Sequence, residues 1–564
     1  MQQAVLLDVK GLSIQFRNKG ELAYAVEDVS FSAKKGEAVG LVGESGSGKS
    51  VTALSIISLL PPQAMIKSGH VDFSGTDLLQ MNKNELIKFR GNRISMIFQE
   101  PMTALNPVMR CGEQVAESIR LHQQTDKKEA YRQVISLFEK VKLPRPEEIY
   151  RSYPHQISGG QKQRVMIAMA VANKPDLLIA DEPTTALDVT VQKEIVALLN
   201  ELRKEYGMSL LFISHDLGVI SEVAERVLVM YRGKIVEEGL VREVFRQPKH
   251  PYTKGLLACR PPLKGKPETL PTMDEFMETK VTETTSETFE KQPSVVLRKD
   301  ILETEHLTKR YVSEKSIFGK PEKFVFAVND VSFKVKEGET LGLVGESGCG
   351  KTTLGRSLLR LIEPDEGIIR FDQKDFSGLS RKELKKERKN INIVFQDPYS
   401  SLNPRLSVGQ AIMEPMTVHG LYKNKKERRK KAEELLEKTG LKKEHFSRYP
   451  HEFSGGQRQR IVIARALALN PKFIICDEAV SALDVSVQAR ILNLLNRLKR
   501  EFGFTYIFIS HDFSVVRYMS DRIMVMKDGK IVETGEADQI YFHPQHSYTK
   551  KLIASIPKAE FNLI

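Results

Sequence analysis

Gly43-Glu44-Ser45-Gly46-Ser47-Gly48-Lys49-Ser50 is the stretch whose reading decides the fold, and it has a second copy, Gly345-Glu346-Ser347-Gly348-Cys349-Gly350-Lys351-Thr352. Each fits G-x-x-x-x-G-K-[ST], a loop whose backbone N–H groups wrap the phosphates of a nucleotide. The glycines reach backbone torsions closed to other residues and let the main chain approach an anion closely. The lysines, Lys49 and Lys351, reach the terminal phosphates, and the hydroxyls of Ser50 and Thr352 can ligate Mg²⁺. Working outward, Ala38-Val39-Gly40-Leu41-Val42 and Thr340-Leu341-Gly342-Leu343-Val344 read as buried strands entering the loops. The stretches 52–57 and 354–359 read as helices whose N-termini face the phosphates. A single match could be a chance glycine-rich turn. Two matches, each between strand and helix, imply two nucleoside triphosphate sites.

The chain has 564 residues, with 41% hydrophobic and 28% charged side chains, the balance of a globular protein of several domains. No apolar run approaches the roughly 18 residues that span a bilayer. The N-terminal residues read as a first strand and not as a signal peptide. Four cysteines (Cys111, Cys259, Cys349, Cys476) lack disulfide or metal-ligand spacing and suit a reducing compartment. A net charge of +13 is compatible with an anionic membrane surface or nucleic acid, and equally with a diffusely solvated basic surface.

The loops belong to a duplicated domain. Lys49 and Lys351 lie 302 apart, whereas Ser158/Ser454, Asp181/Asp477, His215/His511 and Tyr252/Tyr548 all lie 296 apart, and Gln99/Gln396 lie 297 apart. The second copy has therefore lost about five residues between its phosphate loop and Gln396, and then stays nearly in register. The expected organisation is a first domain over residues 1–262, a flexible linker over 263–300, and a second domain over 301–564. The linker includes Thr282-Glu283-Thr284-Thr285-Ser286-Glu287-Thr288 and lacks apolar spacing. Its 38 residues span roughly 30–35 Å on average, enough for two domains to pair. In each copy β-rich segments come first, then a helical middle, then alternating strands and helices, which predicts an α/β fold with a parallel core sheet.

Two apolar strands end in paired carboxylates, Leu177-Leu178-Ile179-Ala180-Asp181-Glu182 and Phe473-Ile474-Ile475-Cys476-Asp477-Glu478. In α/β sheets the carboxyl ends of strands line the ligand crevice. Asp181 and Asp477 are placed to hold Mg²⁺, and Glu182 and Glu478 to polarise the water that attacks the terminal phosphate. Ser158-Gly159-Gly160-Gln161 and Ser454-Gly455-Gly456-Gln457 each open a helix, where free N–H donors and the positive dipole end offer a second anion site. A lone copy would be an ordinary N-cap.

Ser-Gly-Gly-Gln after a phosphate loop and before Asp-Glu resembles the signature motif of ATP-binding cassette (ABC) ATPases. The resemblance covers nearly the whole chain. It implies two tandem P-loop NTPase domains, each with a RecA-like parallel-sheet core, an antiparallel β subdomain and a helical subdomain. It assigns Gln99 and Gln396 to the Q-loops as metal ligands and levers to a membrane partner. It assigns Ala186-Leu187-Asp188 and Ala482-Leu483-Asp484 to the D-loops, and His215 and His511 to switch histidines contacting the γ-phosphate. An adenine-stacking aromatic is expected upstream of each loop. Tyr24 and Phe326, each 25 residues before its lysine, are the candidates, with Phe16 and Tyr311 as rivals. The resemblance further implies head-to-tail pairing around two ATP-Mg²⁺, so that Lys49 faces Ser454 and Gly456 while Lys351 faces Ser158 and Gly160. One departure is Ala479-Val480-Ser481 against Pro183-Thr184-Thr185, which puts equal rates at the two sites in doubt.

Within the family, the stretches 98–107 and 395–404 resemble the extended Q-loops of peptide- and nickel-type importers. His250-Pro251-Tyr252-Thr253-Lys254 and His546-Ser547-Tyr548-Thr549-Lys550 resemble their C-terminal His-Pro-Tyr-Thr element. The two halves look like the paired ATPase subunits of dipeptide/oligopeptide importers, fused as in some glutathione and peptide importers. This implies an ATP-hydrolysing importer subunit, peripheral on the cytoplasmic face of a prokaryotic inner membrane. It would work with two integral-membrane permease subunits and, indirectly, an extracytoplasmic substrate-binding protein. No nucleic acid, covalent membrane anchor or iron–sulfur cluster is expected, only Cys259 lying in the tail region where some relatives carry a cluster. The alternative is a soluble twin-cassette ATPase acting on ribosomes or nucleic acid. Substrate is open among peptides, glutathione, nickel complexes and opines.

Overall fold

Ala38–Val42 and Thr340–Val344 are apolar along their length, and in the computed structural model each is a fully buried strand. The structure describes residues 4–18, 21–99, 104–185, 187–262, 265–277, 299–315, 321–481 and 483–556. Among these, two compact units separate, one holding residues 4–257 and the other 258–275 together with 299–556.

In the first unit Ala38–Val42 lies inside a six-stranded sheet ordered Lys234–Leu240, Arg226–Tyr231, Ala38–Val42, Ser209–Ser214, Leu177–Asp181, Ile94–Ile97. All neighbours are parallel except the outermost pair, Lys234–Leu240 on Arg226–Tyr231. Four of the strands carry unbroken apolar runs over most of their length, as strands covered on both faces must. The second unit repeats the order with Lys530–Glu536, Arg522–Lys527, Thr340–Val344, Thr505–Ile509, Phe473–Asp477 and Ile391–Val394. This order positions the site. Ser209–Ser214 separates the phosphate-loop strand from the strand ending in Asp181, so Gly43, Glu182 and His215 leave the same sheet edge side by side.

Each unit adds a four-stranded antiparallel sheet, led by Val5–Asn18 with Glu21–Lys34 and by Asp300–Lys315 with Pro321–Lys336. Each also has a helical middle. In the helix Lys127–Lys140, Ala130, Val134, Leu137 and Phe138 are buried at helical spacing, and Asp126 caps the start by accepting the Glu129 N–H at 2.7 Å. Burying a side chain such as Phe138 stabilises by roughly 1.5–3 kcal/mol. The architecture is α/β, as the sequence predicts.

The expected flexible linker needs correction at its start. Residues 265–275 lie on the second unit instead of spanning free. Leu270 is 1% exposed within that unit's core, and its N–H and C=O pair with Asn493 Oδ1 and Nδ2, both at 2.8 Å. Arg517 donates to the Pro262 carbonyl at 3.2 Å, Lys266 to the Ser520 carbonyl at 2.6 Å, and Arg490 to Asp274 at 2.7 Å. The polar average of the stretch conceals two apolar anchors, Leu270 and Met273. The Thr/Glu-rich run at 282–288 lies outside the described residues.

Candidate functional site

The phosphate loops run from the sheet edge into the helices Lys49–Ile56 and Lys351–Leu358. Gly48 turns the corner at φ 106°, and a Cβ there would stand 2.5 Å from the Ala25 carbonyl oxygen. At Gly350 the same clearance falls to 1.8 Å from the Ala327 oxygen, so both positions require glycine. No side chain caps either helix, which leaves its first N–H groups directed at the loop. Lys49 is buried, with Nζ donating to the Gly43 and Glu44 carbonyls at 2.8 and 2.9 Å. Lys351 repeats this on Gly345 and Glu346 at 2.7 and 2.9 Å.

The carboxylates arrive from the neighbouring strand. Ser50 Oγ donates to Asp181 Oδ1 at 3.1 Å, and Thr352 Oγ1 to Asp477 Oδ1 at 3.0 Å. Burial pushes the Asp181 carboxyl up to about 6, and Asp477 upward likewise. One residue on, Glu182 and Glu478 sit at φ 46° and 48°, a left-handed conformation that costs a non-glycine residue about 1–3 kcal/mol. The repeat of this strain in both units turns both carboxylates toward the loops. Glu182 Oε2 accepts from Gln99 Nε2 at 3.1 Å and Thr185 Oγ1 at 2.9 Å, and meets His215 Nδ1 at 3.1 Å. Its Oε1 lies 4.0 Å from Lys49 Nζ. Burial opposes its charge, but His215, Thr185 and Lys49 outweigh that and hold its carboxyl down at about 2. Glu478 accepts from Gln396 at 2.8 Å and stands 3.6 Å from His511. Burial works against the His511 imidazolium, yet Glu478 outweighs it and raises the ring's pKa.

Each unit thus gathers Lys49, Ser50, Gln99, Asp181, Glu182 and His215, or Lys351, Thr352, Gln396, Asp477, Glu478 and His511. The Ser-Gly-Gly-Gln stretches stand apart. Ser158 and Gln161 form a capping box at the start of Gly159–Val171, Ser454 and Gln457 one at Gly455–Leu467. Among the described residues no hydrogen bond joins either stretch to the phosphate loop of its own unit. Space remains over Gly159, where a Cβ would meet nothing within 4 Å. Tyr24 and Phe326 are 49% and 42% exposed and directly precede Ala25 and Ala327, the residues that touch the loops. Phe16 packs against the core instead. Ala186 and Ala482 of the D-loops, and residues 100–103 of the first Q-loop, lie outside the described residues.

The donor set suits a hard cation and a polyphosphate. Ser50, Gln99 and Asp181 offer oxygen ligands of the kind Mg²⁺ takes. The Gly48 and Gly350 corners, which leave no room for a Cβ, form the close-fitting backbone cradle that a phosphate group takes. Two features were not read from sequence. Thr185 holds Glu182, whereas its counterpart Ser481 donates to the Glu478 backbone carbonyl at 2.9 Å. Tyr252 and Tyr548 of the tails reach the phosphate loops. The Pro-Thr-Thr against Ala-Val-Ser departure was the signal for the first; for the second, only the repetition of the tail motif was available. The second unit also has a groove of about 240 Å³ beside its Q-loop, lined by Leu359, Phe395, Pro415, His419 and Arg465 among others.

The chain belongs to the ABC transporter family, whose model matches residues 26–185 and 328–481. More particularly, it is a twin-cassette ATP-binding subunit of the oligopeptide type: the model "Oligopeptide/dipeptide transporter, C-terminal region" matches residues 236–283 and 532–563. It is 47% identical to the glutathione import ATP-binding protein GsiA of Pectobacterium atrosepticum, over 98% of this chain and 90% of that protein. Against the GsiA of Escherichia coli K12 the identity is 48% with the same coverage. The resemblance drawn from the motifs is correct, and with it an ATPase that couples hydrolysis to import. No helix among the described residues is long and apolar enough to cross a membrane.

Proposed function

We propose that this chain powers import of glutathione, or of a short peptide of similar size, from two ATP sites built by its two cassettes. The observation that carries the reading is the complete second set of site residues in a chain aligned over 98% of its length with glutathione import ATPases. Lys49 and Lys351 hold the terminal phosphates, and Tyr24 and Phe326 stack on the adenines. Ser50, Gln99 and Asp181, or Thr352, Gln396 and Asp477, would hold Mg²⁺, which would supply charge neutralisation at the phosphate oxygens. Glu182 and Glu478 orient and polarise the attacking water. His215 and His511 donate to the charge that grows on the γ-phosphate.

The units pair head to tail, so that Ser158 and Gly160 close over Lys351, and Ser454 and Gly456 over Lys49. A capped helix start with open space over Gly159 fits an anion arriving from a facing domain. Hydrolysis then depends on closure. Two permease subunits dock at the Q-loops and helical middles on the cytoplasmic face of the membrane. An extracytoplasmic binding protein delivers the substrate.

The test is to trap the Glu182→Gln/Glu478→Gln chain with ATP and isolate it from native membranes. Two multispanning subunits should copurify, and proteoliposomes of the wild-type complex should accumulate radiolabelled glutathione only with ATP. Copurification with ribosomal proteins or nucleic acid alone would overturn the reading.

A further inference from the structure

The His-Pro-Tyr-Thr tails reach back to the phosphate loops. Tyr252, in the helix Pro251–Ala258, is wholly buried, and its ring lies against that of Tyr231 with centroids 4.2 Å apart and planes tilted by 32°. Its hydroxyl oxygen accepts the Glu44 N–H at 2.9 Å, across 208 residues of chain. Tyr548, in the helix Ser547–Ala554, does the same for the Glu346 N–H at 3.0 Å.

The peptide group so held is a particular one. The plane joining Gly43 to Glu44 gives its N–H to Tyr252, while its carbonyl, that of Gly43, takes the Lys49 ammonium at 2.8 Å. In the second unit the Gly345–Glu346 plane lies between Tyr548 and Lys351 in the same manner, the latter at 2.7 Å. One peptide plane is thus clamped between a tail tyrosine and the phosphate-binding lysine.

The tail is itself anchored. Glu237 accepts the N–H groups of Lys249 and His250 at 2.8 and 3.0 Å, and His250 Nδ1 accepts the Tyr252 N–H at 3.1 Å. Glu533, Gln545, His546 and Tyr548 repeat every link, at 2.7, 3.1 and 3.2 Å. Two copies with different neighbours, including Ser547 where the first has Pro251, keep the same chain of contacts.

We propose that Tyr252 and Tyr548 are positioning residues for ATP binding: by fixing the first peptide plane of each phosphate loop they set where Lys49 and Lys351 present their ammonium groups. This rests on the reading of the two loops as the ATP sites. Without the hydroxyl the plane can tilt, and the lysine that leans on it loses a fixed seat. ATP affinity falls while the hydrolytic groups, which come from other strands, keep their geometry.

Tyr252→Phe and Tyr548→Phe retain the buried rings and delete only the hydroxyls. The experiment measures binding of a fluorescent ATP analogue, steady-state ATP hydrolysis and the thermal midpoint on the full-length chain. Each single substitution should weaken one of the two sites by about three- to tenfold, the range of one hydrogen bond. The double substitution should raise the half-saturating ATP concentration by the same factor and leave kcat within about twofold, with the midpoint falling by no more than the few degrees that one lost hydrogen bond per unit costs. Unchanged half-saturation in the double variant would overturn the inference, as would a fall in kcat at constant half-saturation. Lys49→Ala/Lys351→Ala serves as the reference. If it still binds the analogue as wild type does, the assignment of the loops fails as well; if it loses binding while the tyrosine variants do not, the inference alone fails.

Discussion

Glu182 and His215 stand 3.1 Å apart, Oε2 to Nδ1, while the equivalent pair in the second unit, Glu478 and His511, stands at 3.6 Å. The glutamates are held by matching Gln partners; Glu182 Oε2 also accepts from the Thr185 hydroxyl at 2.9 Å, whereas the Ser481 hydroxyl donates to the Glu478 backbone carbonyl at 2.9 Å and helps to hold the Glu478 carboxyl down. The sites gather the same glutamate, glutamine and histidine and differ in the hydroxyl contact and in the histidine distance.

In the proposed mechanism His215 and His511 each donate to the charge that develops on the γ-phosphate. His215→Ala and His511→Ala should each slow turnover at their own site by about a hundredfold. Single-turnover phosphate release on the chain carrying the other site's Glu→Gln substitution reads each separately. A loss of less than about threefold would deny the histidine this role.

Thr185→Val keeps shape and deletes the hydroxyl. With Glu478→Gln silencing the second site, it should slow the first about ten- to a hundredfold, as expected for one hydrogen bond to a charged group. Unaltered turnover would show that Glu182 needs no such support.

Residues 265–275 make a prediction about stability. Asn493→Ala leaves the Leu270 N–H and C=O without their partner, at a cost of about 1–3 kcal/mol. Amide exchange at 268–272 should accelerate, while exchange in the strand Thr340–Val344 stays slow. Equal protection in variant and wild type would refute the contact.

Asp372 carries a pH dependence. Hydrogen bonds from Lys299 and Lys472 hold its carboxyl at about 2, below the roughly 3.9 of an unfolded chain. A depressed carboxyl stabilises fully above its unfolded pKa, and the benefit fades as pH falls toward the folded one. The gap in urea midpoint between wild type and Asp372→Asn should therefore be constant from about pH 8 to 5 and narrow below about pH 4. A gap that widens on acidification would contradict the assignment.

Much of this site was legible in the sequence because backbone chemistry dictates residue type. Gly48 and Gly350 have no room for a Cβ, Asp181 and Asp477 must end buried strands, and duplication placed every landmark twice. Tertiary contacts between distant segments were not legible. Nothing in the spacing of His250-Pro251-Tyr252-Thr253 says that Tyr252 meets Glu44, since a single hydrogen bond over 208 residues leaves no periodic trace. Leu270 and Met273 were hidden for a related reason: two apolar anchors in a polar stretch make no pattern, yet they can seat the segment when a complementary Asn493 faces Leu270.

The central claim is that both cassettes hydrolyse ATP through Glu182 and Glu478. It is tested most directly by steady-state phosphate release from the wild type, the two single Glu→Gln variants and the double variant, with nucleotide binding measured alongside. The account predicts that all four chains bind two ATP, that each single variant retains no more than about half the turnover, and that the double variant falls by at least about a hundredfold. A double variant that hydrolyses ATP at the wild-type rate would contradict it.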